Sequence, residues 1–382
     1  MGQDFHVLYI ITKLELGGAQ KVCLSLFKWF NKSKKQATLI SGTDGPLVDE
    51  ACSLGPTKLL PEFVREVGVS SLWREIKAFW RLFKEIRVLK KKYLHLVVHT
   101  HSSKAGVMGR WAAFFAGCRR IVHTVHGFSF NDRQPFYTRW MCICLEFFTS
   151  LVTSKFICVS QCDLRNGCVF FPWFYKKTCI IRAAVEDCKF IPTKRFKEPL
   201  NKNEIIIGSV GCFKPQKNLI DLLKAFKYLK DIVGPEKKMR LQILGDGVLR
   251  PSLMAWIRQH DLEQLIDLPG WQDNVESWMS SWDIFAMSSL WEGLPRAVVE
   301  ARMSRLPVVA YDVGGIGEII KNGENGFIVS PGEWEKLTHY LQLLVDDAEF
   351  RSVLANGQNE KFSDFYVKIM IKKHEQLYLD QL

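Results

Sequence analysis

Apolar positions along the chain recur in two periods, one typical of buried strands and one typical of helices. The apolar run at residues 5–12 predicts a first strand, and Val22, Leu26 and Phe30 recur with helical spacing after a glycine-bearing turn. Similar strand and helix signals follow one another through the first half of the chain. Strands that alternate with helices in this way predict an α/β fold with a parallel, doubly wound sheet.

The pattern restarts after residues 192–203 (PTKRFKEPLNKN), a polar, basic segment with two prolines that predicts an interdomain linker. Residues 204–210 (EIIIGSV) form a predicted buried strand, followed by the turn GCFKPQKN and a helix. Later strand signals lie at residues 240–244, 283–287, 307–310 and 327–329. Because 382 residues are also too many for one typical core, we predict two Rossmann-like domains, at residues 1–195 and 204–382.

Charge and cysteine content restrict the partners and the compartment. A net charge of +12 suits nucleic acid, anionic lipid or phosphate-bearing small molecules, but no nucleic-acid-binding signature is seen, so we expect no nucleic-acid partner. The eleven cysteines form no CxxC pair, which favours reduced thiols in a cytoplasmic protein. The N-terminal residues lack a signal-peptide pattern, and the longest apolar candidate for a membrane span, residues 140–152, is interrupted by Glu146. We expect a soluble or peripherally bound protein.

Two aromatic, basic stretches are candidates for contact with an anionic membrane surface. Residues 72–92 have helical spacing, with Trp73, Ile76 and Trp80 among the apolar positions and many lysines and arginines between them. Such a helix either lies on a membrane or packs on the sheet with its basic face in solvent, and the sequence leaves both interpretations open. Residues 170–177 (FFPWFYKK) are a second candidate for the same role.

Four histidines lie at the ends of two predicted strands. His99 and His101 end one strand (LHLVVHTH), and His123 and His126 end the next (IVHTVH). In a parallel sheet both turns that follow would lie at the carboxyl edge, where ligands collect. Because alternate positions on strands favour core or cleft histidines, we expect no metal site here.

Residues 288–300 (SSLWEGLPRAVVE) link a predicted buried strand to a helix. Gly293 lets the backbone turn, and Pro295 suits the first helical turn, so the amide donors there can hold an anionic group such as a phosphate. Glu292 precedes the helix and Glu300 lies about two turns into it, so two carboxylates can flank a hydroxyl-rich ligand. Taken alone, the pattern also fits a strand-loop-helix with two solvated glutamates.

In their order and spacing, the motifs of the second half resemble those of the family 4 glycosyltransferases. They are VGCFKPQKN, ILGDG, SLWEGLP with Glu300, VVAYDVGGIGEII and NGFIV. In the first half, LELGGAQK, HTHSSKAGVMGR and HTVHGFSF are similar to members that build bacterial surface polysaccharides. The resemblance implies a GT-B fold, in which two Rossmann-like domains face a cleft, the first holding the acceptor and the second the nucleotide sugar. It also implies that a terminal helix, residues 362–379, crosses back to the first domain.

The resemblance implies roles for residues of the second half. Glu292 matches a glutamate that contacts the hydroxyls of the donor sugar, and Glu300 matches one that accepts hydrogen bonds from the nucleotide ribose. Backbone amides near Gly293 and Leu294 would hold the diphosphate. Lys217 matches a lysine that neutralises the leaving diphosphate, where a fixed cation stabilises the charge that develops as the glycosidic bond breaks.

Three first-half residues and one further glutamate also match the family. His126 matches a histidine that faces the donor sugar, with a core histidine as the alternative. Gly17 and Gly18 match a turn near the donor phosphate and the acceptor, although the same glycines can simply let the backbone turn. Glu318 in GGIGE would steady the edge of the cleft.

One departure from the family bears on activity. Relatives usually carry an arginine where this chain has Cys212, so half of the expected cationic clamp is missing. Lys214 and Arg182 are candidates to replace it. The departure keeps a non-catalytic protein that binds sugar nucleotides or glycans as an alternative, beside a nucleotide-sugar epimerase on the same fold.

The function implied by the resemblance is retaining transfer of a hexose or N-acetylhexosamine from a nucleotide-diphosphate sugar, with UDP as the expected nucleotide. The acceptor would be a glycan or a polyprenyl-linked glycan at the cytoplasmic membrane face. The chain contains no D-x-D motif, so we expect no metal and no cofactor, the diphosphate being held by a lysine and a helix end. Retention is expected through front-side displacement, since no carboxylate pair at glycosidase spacing can be argued from the sequence.

Overall fold

The computed structural model describes residues 5–33, 35–64, 72–186, 190, 204–357 and 362–382. The chain divides into two compact units, one formed by Met1–Ala184 together with Val367–Leu382, the other by Val185–Tyr366. The division therefore falls before residue 195, and the terminal helix belongs to the first unit. The linker predicted at residues 192–203 lies outside the described residues.

The described part of the first unit contains a seven-stranded sheet in the order β3-β2-β1-β4-β5-β6-β7, with every neighbouring pair parallel. The strands are β1 His6–Ile10, β2 Ala37–Ser41, β3 Thr57–Leu59, β4 Leu96–His101, β5 Arg120–Val125, β6 Lys155–Cys158 and β7 Thr178–Ile180. Strands β1, β2 and β4 are buried along their whole length. Burial on both faces explains why they read as nearly continuous apolar runs.

Helices cover both faces of this sheet. They are Gly18–Lys32, Val48–Leu54, Leu72–Lys92, Ser103–Phe115, Phe136–Leu151, Gln161–Phe170, Phe174–Lys177 and Val367–Leu379. The chain moves across the sheet in one direction from β1 through β2 to β3. It moves in the opposite direction from β3 to β4 and on to β7. Because crossovers between parallel strands are right-handed, helices of the two directions lie on opposite faces. Leu72–Lys92, Ser103–Phe115 and Phe136–Leu151 therefore share one face.

The second unit repeats the architecture with a six-stranded parallel sheet in the order β10-β9-β8-β11-β12-β13. Its strands are β8 Glu204–Val210, β9 Lys238–Leu244, β10 Ile266–Gly270, β11 Ile284–Met287, β12 Val308–Tyr311 and β13 Gly326–Val329. Its helices are Leu219–Val233, Arg250–Gln259, Val275–Ser281, Arg296–Met303, Trp334–Asp346 and Ala348–Asn356, with 3-10 turns at Pro215–Lys217 and Ile316–Glu318. The predicted fold of two Rossmann-like, doubly wound domains is confirmed.

Each sheet has a point where the strand order reverses, and open α/β sheets bind ligands at such points. In the first unit the reversal lies between β1 and β4, and in the second unit between β8 and β11. The turns that follow these strands are the ones that carry the predicted ligand motifs. Gly17 and Gly18 therefore lie at the reversal in the first unit, and residues 211–218 and 288–295 lie at the reversal in the second.

The two predicted membrane-binding stretches differ in how much they expose. Helix Leu72–Lys92 has the predicted bounds, but it packs inward through Ala78, Leu82, Ile86 and Leu89, while Trp73 and Trp80 are 84% and 54% exposed. The stretch at residues 170–177 is partly internal, because Phe171 and Phe174 are fully buried. A surface role for that stretch is therefore restricted to its exposed members, such as Tyr175.

His99, His101 and His123 are buried in the first unit, as their alternate spacing predicted, and His126 is half-buried. His99 Nδ1 lies 2.6 Å from the hydroxyl of Tyr378, and its Nε2 lies 2.7 Å from Thr124 Oγ1. Burial lowers the pKa of His99, His101 and His123 well below the ordinary value, and it lowers the pKa of His374 to about 4. No group of residues suited to hold a metal ion occurs among the described residues.

Acid should destabilise the protein because these histidines fold in the neutral form. The unfolded chain takes up protons below the ordinary histidine pKa of about 6.5, whereas buried His374 resists protonation until about pH 4. The contribution of neutral His374 to the free energy of unfolding is therefore complete above about pH 6.5, and it is lost as the pH falls toward 4. For His374 alone the loss is about 3 kcal/mol.

Urea unfolding at neutral pH and at pH near 5 measures this loss. His374→Gln should unfold with a smaller pH dependence than the wild type, while His339→Gln, at an exposed position of the second unit, should behave as the wild type does. Equal stability of the wild type at both pH values contradicts the prediction.

Candidate functional site

The turns that carry the predicted donor motifs are neighbours because their strands pair. β8 lies beside β11 in parallel register, with Ile207 opposite Ile284 and Gly208 opposite Phe285. In parallel strands the carboxyl ends meet at the same edge, so the turn after β8 and the turn after β11 leave the sheet side by side. This pairing joins two motifs that are far apart in the chain.

Backbone and side-chain hydrogen bonds join the two turns. Leu290 N donates to the carbonyl of Gln216 at 2.8 Å, and Gln216 Nε2 donates to the carbonyl of Trp291 at 2.7 Å. Ser288 Oγ donates to the carbonyls of Lys217 and Asn218 at 3.1 and 2.9 Å. Asn218 ends the 3-10 turn with a φ of 44°, a left-handed conformation that asparagine tolerates better than most residues. The two turns therefore form one hydrogen-bonded platform.

Lys217 and Glu292 meet on this platform. Lys217 Nζ lies 2.5 Å from Glu292 Oε1, and the two side chains are 18% and 10% exposed. The stem of Lys217 lies over Gly211, where an added Cβ would sit 3.2 Å from its Cδ and Cε. The structure thus brings together the two residues for which the resemblance implied the central roles.

The glycine pair of GGIGE closes the back of the turn at Glu292. Gly315 N donates to the carbonyl of Gly293 at 2.6 Å. Gly314 has a φ of +58°, and a Cβ there would lie 2.1 Å from the carbonyl oxygen of Glu292. Both the conformation and the close approach require glycine at this position. The turn after β12 therefore fixes the backbone on which Glu292 stands.

The helix Arg296–Met303 begins directly after this turn, with Pro295 at its N-cap position. The first amides of a helix have no acceptor within the helix and carry partial positive charge. An anionic group beside Gly293 and Leu294 would meet these amides. Glu300, on the same helix, lies 3.3 Å from the guanidinium of Arg296, and both side chains are largely buried. Glu300 is therefore not simply a solvated surface charge.

The residues proposed to replace the missing arginine lie in different units. Cys212 is half-buried in the turn after β8, and its carbonyl accepts a hydrogen bond from Lys214 N at 2.7 Å. Arg182 belongs to the first unit, where its guanidinium donates to the carbonyl of Val159 at 3.3 Å. Lys214 thus shares the turn with Lys217, whereas Arg182 does not.

The predicted first-unit residues lie at and beside the β1–β4 reversal. Gly17 is the N-cap residue of helix Gly18–Lys32, which follows β1. Thr12 Oγ1 lies 2.8 Å from Ser102 Oγ and joins the turns after β1 and β4. His126 follows β5, and its Nε2 lies 3.0 Å from Nδ1 of buried His101.

Sequence reasoning missed the residues that support the platform. Gln216, Ser288 and Gly314 hold the two turns together, yet each has a residue type common in ordinary loops. All three lie inside motifs quoted above, so their position beside Lys217 and Glu292 was the available signal. His101, which holds His126, was read only as a core or cleft histidine.

Two parallel, doubly wound units form the architecture of the GT-B class, and the second unit places a lysine–glutamate pair beside a helix start. The model for "Glycosyltransferase Family 4" matches residues 16–168, and the model for "Glycosyl transferases group 1" matches residues 190–361. The chain belongs to the family 4 glycosyltransferases.

An Escherichia coli relative and two solved structures match the chain over nearly its whole length. An Escherichia coli protein named UDP-Gal:alpha-D-GlcNAc-diphosphoundecaprenol alpha-1,3-galactosyltransferase is 29% identical over 376 residues, 96% of this chain and 95% of that protein. The structure of Anabaena HepE in complex with UDP and glucose has a TM-score of 0.80 at 19% identity, covering 99% and 100% of the two chains. A sucrose-phosphate synthase from Thermosynechococcus elongatus has a TM-score of 0.79 at 16% identity, covering 99% of each chain. These structural matches show the shared fold.

Proposed function

We propose that the protein is a retaining glycosyltransferase that moves a hexose or N-acetylhexosamine from a UDP-sugar to a glycan or lipid-linked glycan. The observation that carries the proposal is the contact between Lys217 Nζ and Glu292 Oε1 at 2.5 Å, beside the start of helix Arg296–Met303. It places a cation, a carboxylate and helix amides together, which suits a ligand that combines a diphosphate with sugar hydroxyls. The E. coli relative, whose name specifies UDP-Gal and a diphosphoundecaprenol-linked sugar, supports this choice of donor and acceptor.

Lys217 is assigned to the leaving group in the proposed reaction. The bond between the sugar C1 and the diphosphate oxygen breaks, and a bond from the acceptor oxygen to C1 forms on the same face. The proton of the acceptor hydroxyl passes to a phosphate oxygen, and UDP departs. An ammonium group has three N–H donors, so Lys217 can contact Glu292 and the diphosphate together. The fixed positive charge lowers the barrier as negative charge develops on the phosphate.

The remaining site residues are assigned to binding. Glu292 accepts hydrogen bonds from sugar hydroxyls, and Glu300 accepts them from the ribose. Amides near Gly293 and Leu294 hold the diphosphate, so no metal ion or cofactor is proposed. In the first unit, His126 orients the donor sugar, and Gly17 and Gly18 lie near the donor phosphate and the acceptor. We place the reaction at the cytoplasmic membrane face.

A panel of UDP-, GDP- and ADP-sugars with polyprenyl-diphosphate glycans as acceptors tests this function. Nucleotide release should require an acceptor, should be fastest with a UDP-sugar, and should persist in EDTA. The anomeric coupling constant of the product, measured by NMR, should show the configuration of the donor. Inversion at the anomeric carbon contradicts the proposed stereochemistry, and sugar interconversion without an acceptor indicates an epimerase.

Cys212 favours one second candidate, a non-catalytic protein that binds sugar nucleotides or glycans. The turn after β8 holds a thiol where the family resemblance implies a cation, and a neutral thiol does not supply the positive charge that would neutralise a leaving phosphate. Calorimetry that detects UDP binding, combined with no turnover across the donor and acceptor panel, supports this candidate. Turnover that rises in Cys212→Arg supports the enzyme, with the thiol as the limiting feature.

A further inference from the structure

The helix Phe136–Leu151 is apolar on its outer face, and most of its buried side chains are polar. Its exposed side chains are those of Phe136, Tyr137, Trp140, Met141, Cys144, Leu145, Phe148 and Leu151, and none of these is charged in this fully described helix. Its buried side chains are those of Ile143, Glu146, Thr149 and Ser150, three of which are polar. A helix on the surface of a soluble domain normally has the opposite arrangement. The inversion indicates that the outer face meets something other than water.

The inner face is polar because it satisfies a buried arginine. Arg110 is fully buried on the neighbouring helix, and its two terminal nitrogens donate to the two carboxylate oxygens of Glu146, each at 2.8 Å. The same guanidinium also donates to Thr153 Oγ1 at 3.1 Å and to the carbonyl of Gly106 at 2.8 Å. This network fixes the rotation of the helix, so the apolar stripe is held outward.

Aromatic side chains of two neighbouring helices extend this apolar stripe. Helix Ser103–Phe115 lies between helices Leu72–Lys92 and Phe136–Leu151 on one face of the sheet. Its Trp111 Nε1 donates to Thr149 Oγ1 of helix Phe136–Leu151 at 3.1 Å. The ring of Phe115 lies 6.3 Å from that of Phe79 on helix Leu72–Lys92. We call the exposed set the aromatic face; it comprises Trp73, Trp80, Phe114, Phe115, Phe136, Tyr137, Trp140 and Phe148.

The edge of the aromatic face is strongly basic. Helix Leu72–Lys92 exposes the cations Arg74, Lys77, Arg81, Lys84, Arg87, Lys91 and Lys92. Its two glutamates are paired, Glu75 with Lys104 and Glu85 with Lys58, while Lys77 and Arg81 both pair with Glu62. The helix therefore presents excess positive charge beside the apolar surface, a combination that fits a layer with anionic groups outside and hydrocarbon inside.

We infer that the aromatic face docks on a bilayer that contains anionic lipid, with helix Phe136–Leu151 entering the headgroup region and helix Leu72–Lys92 contacting the headgroups. Tryptophan and tyrosine are the side chains that favour this interface. A second copy of the chain fits less well, because two basic helices would repel each other and lysine is depleted in protein interfaces. Among the described helices, none is long and apolar enough to cross a membrane.

The inference deepens the proposed function, which puts the acceptor on a lipid, but its test needs no sugar. The full chain is mixed with vesicles of phosphatidylcholine and phosphatidylglycerol, and the bound fraction is measured by flotation. Wild type should bind, and binding should weaken when salt rises from about 0.1 M to about 0.5 M, because screening shortens the reach of the basic helix. The variant Phe136→Ser/Trp140→Ser/Phe148→Ser should bind the vesicles with an affinity that is lower by roughly tenfold or more, because three inserted side chains are lost.

A matched control removes equally exposed apolar groups from the second unit. Tyr228→Ser/Val248→Ser/Val353→Ser changes side chains that are 47%, 76% and 60% exposed, and it should bind vesicles as the wild type does. UDP affinity, measured by calorimetry, should be the same in all three proteins, so a failure of lipid binding is separable from a failure of the proposed function. The inference is overturned if the wild type does not bind the vesicles, if the first triple variant binds equally well, or if the face instead holds a stable dimer in solution.

Discussion

Lys217→Ala is expected to lower the rate of sugar transfer by about 10²- to 10³-fold, the usual effect of removing one group that stabilises charge in a transition state. The substitution removes the only cation that the structure shows in contact with Glu292 among the described residues. Most of the loss should appear in kcat, because the phosphate gains charge as the bond breaks. Turnover by nucleotide release, with the donor at saturation, measures the effect.

The control separates this loss from a general effect of lysine removal. Lys227 forms an exposed ion pair with Asp231 on helix Leu219–Val233, and Lys227→Ala should retain wild-type transfer. Thermal unfolding of Lys217→Ala shows whether the fold is intact, since Glu292 loses its partner in this variant. A folded Lys217→Ala protein with full activity would remove the proposed role of Lys217 and the central argument for the donor site.

Glu146→Ala is expected to lower the free energy of unfolding by about 3–5 kcal/mol. The variant leaves the guanidinium of Arg110, which is fully buried, without the carboxylate that accepts two of its hydrogen bonds. A buried charge without its counter-ion costs much more than an exposed one, because water cannot replace the lost partner. Urea unfolding monitored by circular dichroism measures the difference from wild type.

Two further variants test the reason for this loss. Asp231→Ala breaks an exposed pair and should cost less than about 0.5 kcal/mol. Arg110→Met/Glu146→Leu removes both charges and should recover much of the stability lost in Glu146→Ala, because no charge then remains buried. A cost below about 1 kcal/mol for Glu146→Ala contradicts the burial argument.

Local pattern in the sequence was sufficient for much of the fold. Helix Leu72–Lys92 and strand Glu204–Val210 have the bounds that the sequence predicted. The helix is long enough to repeat its apolar spacing several times, and the strand is a short apolar run followed by a turn. Strands Ala37–Ser41, Thr57–Leu59 and Ile266–Gly270 were not predicted, because short strands at or near a sheet edge carry little repeated pattern.

The donor site was predicted as separate motifs, and the sheet joined them. Lys217 and Glu292 are 75 positions apart in the chain. Each was placed by sequence after a predicted strand, but their 2.5 Å contact depends on β8 lying next to β11. Strand order is a property of the folded sheet, because many orders are compatible with the same run of strands and helices.

By itself, then, the sequence determined the two α/β domains, the family motifs and the candidate residues, because all three depend on local spacing and residue type. The tertiary structure decided which motifs share a sheet edge and which side of each helix is covered. Residues 140–152 show the difference: the sequence marks an apolar run interrupted by Glu146, whereas the fold pairs that glutamate with Arg110 and turns the apolar side outward. That orientation depends on a partner 36 positions away, which no local pattern records.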